Sequence, residues 1–182
     1  STILMYEKKT GKHVPLIAVP TTSGTGSEVT RVAVVTDPEA GKKYPLFSEA
    51  LLPNAAILSG DLTVSVPPAV TAHTGFDVIT HALEAYVSVN ANDFTDAFAE
   101  KALELAFTYL PVAYRDGENR KAREKMQTAS CLAGMAFNDA GLGVNHGIAH
   151  ALGAVFHLPH GMANAMLLYH VMQYNAELDT PR

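Results

Sequence analysis

The sequence has 182 residues, enough for one large domain or parts of two, and its 48% hydrophobic and 17% charged residues are typical of a globular protein. Thirteen basic and eighteen acidic side chains give a formal charge of −5, which argues against nucleic acids and anionic membranes as partners. The single Cys131 excludes an internal disulfide and a multi-thiolate zinc site, and it predicts a cytoplasmic protein. No apolar run reaches the roughly 18 residues of a membrane span.

Strand patterns dominate the first third of the chain. Apolar or β-branched runs of strand length follow one another with turns between them, whereas residues 1–12 are polar and predict no element. This order indicates part of an α/β domain. The predicted strands are residues 14–19, 29–36, 43–47 and 55–58.

The loop after the first predicted strand, residues 21–28 (TTSGTGSE), has a composition suited to ligand binding. Its glycines let the backbone approach a ligand closely, and its hydroxyl groups can donate and accept hydrogen bonds. Such a loop can hold a phosphate or a ribose. A plain Ser/Gly turn is an equally open interpretation.

Helical patterns begin at Pro67 and Pro68, which suit the first turn of a helix and not the interior of a strand. We therefore predict a boundary between an α/β part, residues 1–66, and an α-helical part, residues 67–182. Thr74 and Gly75 predict a break in the first helix. The predicted helices are residues 69–89, 94–114, 119–137 and 161–178.

Asp77 and His81 are four residues apart in the first helical pattern, so both side chains project from one face of the helix. At that spacing a carboxylate and an imidazole can reach one metal ion together, although a surface pair that only supports the helix is the alternative. The apolar neighbours favour a buried pair. Glu84, three residues after His81, is either an anchor for a ligand or a solvated helix acid, and we favour the solvated acid.

Residues 141–161 hold four of the eight histidines of the chain. His146 and His150 are four residues apart, and Pro159 can place His160 at the start of the last helix. Histidine is the commonest metal ligand and titrates near neutrality, so this density indicates a metal or proton-transfer centre. The alternative is a set of histidines that fill polar corners of a packed domain.

Residues from both helical segments could together supply one carboxylate and three imidazoles. That donor set suits a divalent ion such as Fe(II) or Zn(II) and leaves coordination positions open for a substrate oxygen. The candidate set is Asp77, His81, His146 and His160.

Three motifs, at residues 21–28, 74–86 (TGFDVITHALEAY) and 141–165, resemble in order and spacing the iron-dependent (group III) alcohol dehydrogenase family. The resemblance implies a dehydroquinate synthase-like architecture, in which a Rossmann-like α/β domain precedes an α-helical metal-binding domain. Family members are about twice as long and begin with a Gly-Gly-Gly-Ser pyrophosphate loop that has no counterpart in this sequence. We therefore expect the chain to be a central fragment.

The resemblance also implies roles for individual residues. His150 is expected near the nicotinamide and the substrate as a proton carrier, a role that spacing does not separate from metal ligation. The implied metal ligands are Asp77, His81, His146 and His160. The implied cofactor contacts are Thr21, Thr22, Thr25 and Leu62.

The implied reaction interconverts a small primary alcohol or diol and its aldehyde with NAD or NADP. Fe(II), with Zn(II) as a possible substitute, would polarise the substrate oxygen while hydride passes between the carbinol carbon and the nicotinamide. A cytoplasmic enzyme that is a homodimer or larger is expected. The alternatives are a zinc-dependent glycerol dehydrogenase-like enzyme and a truncated metal-binding fragment without activity.

Overall fold

The structure of the protein, a computed structural model, describes residues 2–12, 14–37, 39 and 42–178. Strands precede the main helices, which agrees with the predicted α/β part followed by a helical part. The strands are β1 (Ile17–Ala18), β2 (Val32–Asp37), β3 (Lys42–Phe47) and β4 (Ala55–Ala56). The helices are α1 (Thr2–Thr10), α2 (Pro68–Tyr86), α3 (Asp93–Arg115), α4 (Arg120–Ala140), α5 (Val144–Phe156) and α6 (His160–Glu177).

The strands form two small sheets. β1 and β4 pair in parallel with Ile17 opposite Ala55, and β2 and β3 pair antiparallel with Val32 opposite Phe47. The predictions for residues 14–19 and 55–58 were too long, because each of those strands pairs over two residues. The segment 29–36 becomes a strand at Val32, after a 3₁₀ turn over Ser27–Val29. Helix α1 was not predicted, because its residues are mostly polar.

The core lies among α2, α3 and α4. Most of its buried side chains are alanines, which let the helix backbones approach one another closely. Asn92 caps α3 by accepting hydrogen bonds from two backbone amides, and Asn119 caps α4 by accepting one from the Ala122 amide. Cys131 is buried, as predicted for a small apolar side chain. Among the described residues, no helix has both the length and the apolar content that a membrane crossing requires.

Helix α2 is continuous from Pro68 to Tyr86, so the predicted break at Thr74 and Gly75 was wrong. The Thr74 hydroxyl does not cap a second segment but donates to the Val70 carbonyl, one turn earlier, at 2.9 Å. Gly75 is buried, and the space that a side chain would need is filled by Leu110 of α3. The glycine therefore serves helix packing and does not interrupt the helix.

Candidate metal centre

Helix α2 carries Asp77 and His81 into the interior, where both side chains are buried. Asp77 Oδ1 and His81 Nε2 lie 4.0 Å apart. The ring of His81 stacks on Phe137 of α4, with ring centroids 4.4 Å apart, and on His146 of α5, with centroids 4.5 Å apart. The alternative of a solvated surface pair is thereby excluded.

The N-terminal ends of α5 and α6 bring two more imidazoles to the same carboxylate. His146 is buried near the start of α5, and His160 is the first residue of α6, directly after Pro159. His146 Nε2 and His160 Nε2 each lie 3.5 Å from Asp77 Oδ1. Pro159 therefore places His160 at the start of the helix as the sequence indicated.

One ligand atom from each of Asp77, His146 and His160 lies within 4.8 Å of the other two. Donor atoms bound to one ion at about 2.0–2.2 Å lie about 3–4 Å apart, so this spacing needs little adjustment to hold a metal. One carboxylate and imidazole nitrogens suit Fe(II) or Zn(II). This group does not include the predicted ligand His81, whose Nε2 lies 4.0 Å from Asp77 Oδ1.

Two asparagines that the sequence interpretation did not single out lie beside the three donors, and one of them contacts all three. Asn164 of α6 is fully buried, and its Nδ2 donates to Asp77 Oδ1 at 2.7 Å. The same nitrogen lies 3.1 Å from His146 Nε2 and 3.2 Å from His160 Nε2. Asn145 Nδ2 in turn donates to Asn164 Oδ1 at 2.9 Å. This buried amide pair ties α5 to α6 at the candidate centre.

Glu84 is buried, so the expectation that it is a solvated helix acid was wrong. Its Oε2 contacts His146 Nδ1, and its Oε1 accepts a hydrogen bond from the Asn145 backbone N–H at 2.8 Å. Glu84 follows Asp77 by seven residues, which is about two helical turns. The apolar neighbours that predicted burial of Asp77 surround Glu84 too. Asn164 follows His160 by four residues, which is about one helical turn.

Burial and neighbouring charges shift the pKa values of the buried residues at the candidate metal centre. Burial alone would raise the pKa of Asp77, but the charges of the surrounding histidines and a hydrogen bond to His146 lower it to about 2. Burial lowers the pKa of His81 to about 4. Burial opposes protonation of His146, yet its hydrogen bonds to Asp77 and Glu84 raise its pKa to about 9. A divalent cation would have to displace that proton.

A cleft of about 800 Å³ opens beside the four predicted ligands. His150 lines this cleft, and its ring stacks on that of His160 with centroids 4.9 Å apart. Thr25 is also part of the lining. The described lining residues do not include the other predicted cofactor contacts, namely Thr21, Thr22 and Leu62.

Comparisons with known families match nearly the whole chain. The family model for iron-containing alcohol dehydrogenase matches residues 2–60, and that for the C-terminal part of the Fe-containing alcohol dehydrogenase family matches residues 71–182. The chain is 64% identical to 1-propanol dehydrogenase PduQ of Citrobacter freundii over 175 residues, 96% of this chain and 47% of that protein. It is 51% identical to bifunctional aldehyde-alcohol dehydrogenase AdhE of Escherichia coli strain K12, over 95% of this chain and 19% of that protein. The chain thus spans about half the length of the first of these relatives, and less of the second.

Solved structures of related proteins support the same family. The crystal structure of sulfoacetaldehyde reductase from Bifidobacterium kashiwanohense in complex with NAD+ superposes with a TM-score of 0.88 at 42% identity, over 94% of this chain and 46% of that one. A 1,3-propanediol oxidoreductase superposes with a TM-score of 0.85 at 49% identity, over 88% of this chain and 42% of that one. At these identities the likeness extends beyond the fold to the family.

Proposed function

Because the chain belongs to the iron-containing alcohol dehydrogenase family, we propose that its protein interconverts a short primary alcohol or diol and the corresponding aldehyde, with NAD or NADP as the hydride carrier. The observation that carries the proposal is the convergence of donor atoms from Asp77, His146 and His160 beside a cleft large enough for ligands. The zinc-dependent glycerol dehydrogenase alternative is not favoured, because the matched relatives are named for propanol, propanediol and aldehyde-alcohol conversion.

We assign the metal ligands to Asp77, His81, His146 and His160. The spacing of the donor atoms supports Asp77, His146 and His160. His81 is included because it is buried with its Nε2 4.0 Å from Asp77 Oδ1. When bound there, divalent iron supplies a Lewis acid that polarises the substrate oxygen. The protein's own part is to hold one carboxylate and three imidazoles on the cleft wall in a fixed arrangement, so that little reorganisation is needed during the reaction.

His150 is the proposed proton carrier. It lies on the cleft wall next to His160, so its ring can exchange a proton with a ligand in the cleft, directly or through water. Thr25 is the proposed cofactor contact with the best structural support, because it lines the same cleft. The roles of Thr21, Thr22 and Leu62 as cofactor contacts stay predictions that rest on the family resemblance.

The wall of the cleft favours a small aliphatic substrate. Apolar side chains lie on it together with the histidines, so an alkyl chain can pack there while its oxygen faces the ligands. These apolar lining residues are Val32, Val34, Phe47, Phe137 and Leu142. The cytoplasmic location is supported by the single buried Cys131. Assembly as a homodimer or larger oligomer stays a prediction.

The proposal is tested by metal analysis and turnover of the protein expressed from its complete reading frame. Elemental analysis after anaerobic purification should give about one iron per chain, and the same sample should form NADH or NADPH from 1-propanol or 1,2-propanediol. Metal without turnover on either alcohol would overturn the dehydrogenase proposal and favour a metal-binding role. Absence of any bound metal would overturn the four-ligand set.

A further inference from the structure

A single buried carboxylate connects the central helix to the helix that carries His146. Glu84 lies near the end of α2 with 4% of its surface exposed, and both of its oxygens reach residues at the start of α5. Burial of a carboxylate is costly unless each oxygen has partners. The two oxygens of Glu84 meet different partners, so the residue makes two distinct connections.

The first oxygen completes the N-terminus of α5. The residue before this helix is Gly143, which has no side chain to cap the free backbone amides. Glu84 Oε1 accepts from the N–H of Asn145 at 2.8 Å and approaches that of His146 at 3.4 Å. A Cβ atom on Gly143 would lie 2.9 Å from Glu84 Oε1, so the glycine leaves room for the carboxylate. Its negative charge also suits the positive end of the helix dipole.

The second oxygen selects the tautomer of His146. Glu84 Oε2 faces Nδ1 of the ring, so in the neutral ring the proton lies on Nδ1 and the lone pair on Nε2. Nε2 is the atom that points at Asp77 and at the Asn164 amide. In the neutral ring, the carboxylate on one side therefore directs the Nε2 lone pair at the candidate metal position on the other side.

We infer that Glu84 is the positioning residue of His146: one oxygen fixes the backbone at the start of α5 and the other fixes the tautomer and orientation of the ring. This inference rests on the proposed metal centre. A carboxylate is needed for it, because only a carboxylate offers an acceptor on both oxygens. An amide of the same shape has one acceptor oxygen, so it can accept from the helix N-terminus or from Nδ1–H of the ring but not from both.

The test compares Glu84→Gln, Glu84→Asp and the control Glu100→Gln, which changes an exposed acid on α3. The protein from the complete reading frame is stripped with a chelator and titrated with Co(II), whose absorption reports its coordination. Circular dichroism and thermal unfolding of the metal-free forms check the fold. NMR of the zinc-loaded forms follows the Nδ1 proton of His146.

Glu84→Gln should bind Co(II) about 10- to 100-fold more weakly than the unmodified protein, as is typical when the partner of a ligating histidine is changed. The Nδ1 proton signal of His146 should shift or disappear. Glu84→Asp should recover part of the affinity because it keeps both acceptors, and Glu100→Gln should behave like the unmodified protein. Together these results would support the positioning role.

Unchanged Co(II) affinity and an unchanged Nδ1 signal in Glu84→Gln would overturn the inference while leaving the metal centre intact. Equal loss of metal in both Glu84 variants, together with an equal drop in the unfolding temperature of the metal-free proteins, would also overturn it, since packing alone would then explain the effect. Absence of Co(II) binding by the unmodified protein would overturn the proposed metal centre itself.

Discussion

The strand region and the helical region of this chain bury their apolar residues to very different degrees. Ile17 in β1 is 57% exposed, whereas Ile79 in α2 is 3% exposed. Helices satisfy their backbone hydrogen bonds internally, so α2, α3 and α4 can bury one shared core. Each strand in the described residues pairs along one edge, and the two small sheets leave many apolar side chains uncovered.

The largest expected effect comes from removing a ligand on the helical side. His146→Ala should lose the metal and with it turnover. Its metal affinity should fall by more than the roughly 100-fold that is lost when the hydrogen-bond partner of a ligand is changed. Metal content and NADH formation measure both. His170→Ala is the matched control, because His170 is an exposed histidine on α6. If His146→Ala kept the metal content and activity of the unmodified protein, the ligand assignment would be wrong. The helical region would then no longer be distinguished from the strand region by a metal centre.

The next effect separates chemistry from metal binding within the helical region. His150→Ala should keep the metal but lower kcat by about 10²- to 10⁴-fold, the usual contribution of a positioned acid or base. Added imidazole should restore part of the rate, which a purely structural role would not allow. A variant that loses metal as His146→Ala does would place His150 among the ligands instead.

The sequence predicted α3 and α4 more closely than β1 and β4, although it did not predict α5. The 3.6-residue period is a local signal, so α3 and α4 appear close to their predicted bounds. Strand lengths depend on partners elsewhere in the chain, and β1 and β4 accordingly came out much shorter than predicted.

The site residues, too, were predicted from the sequence where local patterns report them and were missed where they depend on contacts between helices. The histidine spacing on α5 and the proline before α6 are local, and they led to His146 and His160 correctly as neighbours of Asp77. The roles of Glu84 and Asn164 depend on which helices meet, and no local pattern reports that. Burial was the available signal for Glu84, since it shares a helix face with Asp77. The structure was needed to identify His146 as its partner.

A matched pair of substitutions tests the contrast in burial directly. Ile79→Ala should lower the free energy of unfolding by about 2–5 kcal/mol, because it deletes a buried side chain and leaves a cavity. In the 182-residue chain, Ile17→Ala should change it by no more than about 0.5 kcal/mol, as is usual for exposed positions. Urea unfolding followed by circular dichroism measures both values. Equal effects would show that Ile17 packs as tightly as Ile79 and would end the distinction.

The smallest of these effects comes from the buried side-chain amides of Asn145 and Asn164, beside the candidate metal centre. Asn164→Ala removes the donor to Asp77 Oδ1 and the acceptor of Asn145 Nδ2, so metal affinity should fall by about 10-fold. Stability should fall by about 1–3 kcal/mol, because buried polar groups are left without partners. Co(II) titration and urea unfolding measure the two effects.

Gln173→Ala, which removes an exposed amide from the same helix, is the control and should change neither quantity. The two readouts of Asn164→Ala carry different information. A loss of stability with unchanged Co(II) affinity would mean that Asn164 only ties α5 to α6. A loss of Co(II) affinity beyond that of the control would mean that Asn164 also orients Asp77. The positions of the metal ligands in the helical region would then depend on buried hydrogen bonds as well as on the alanine core.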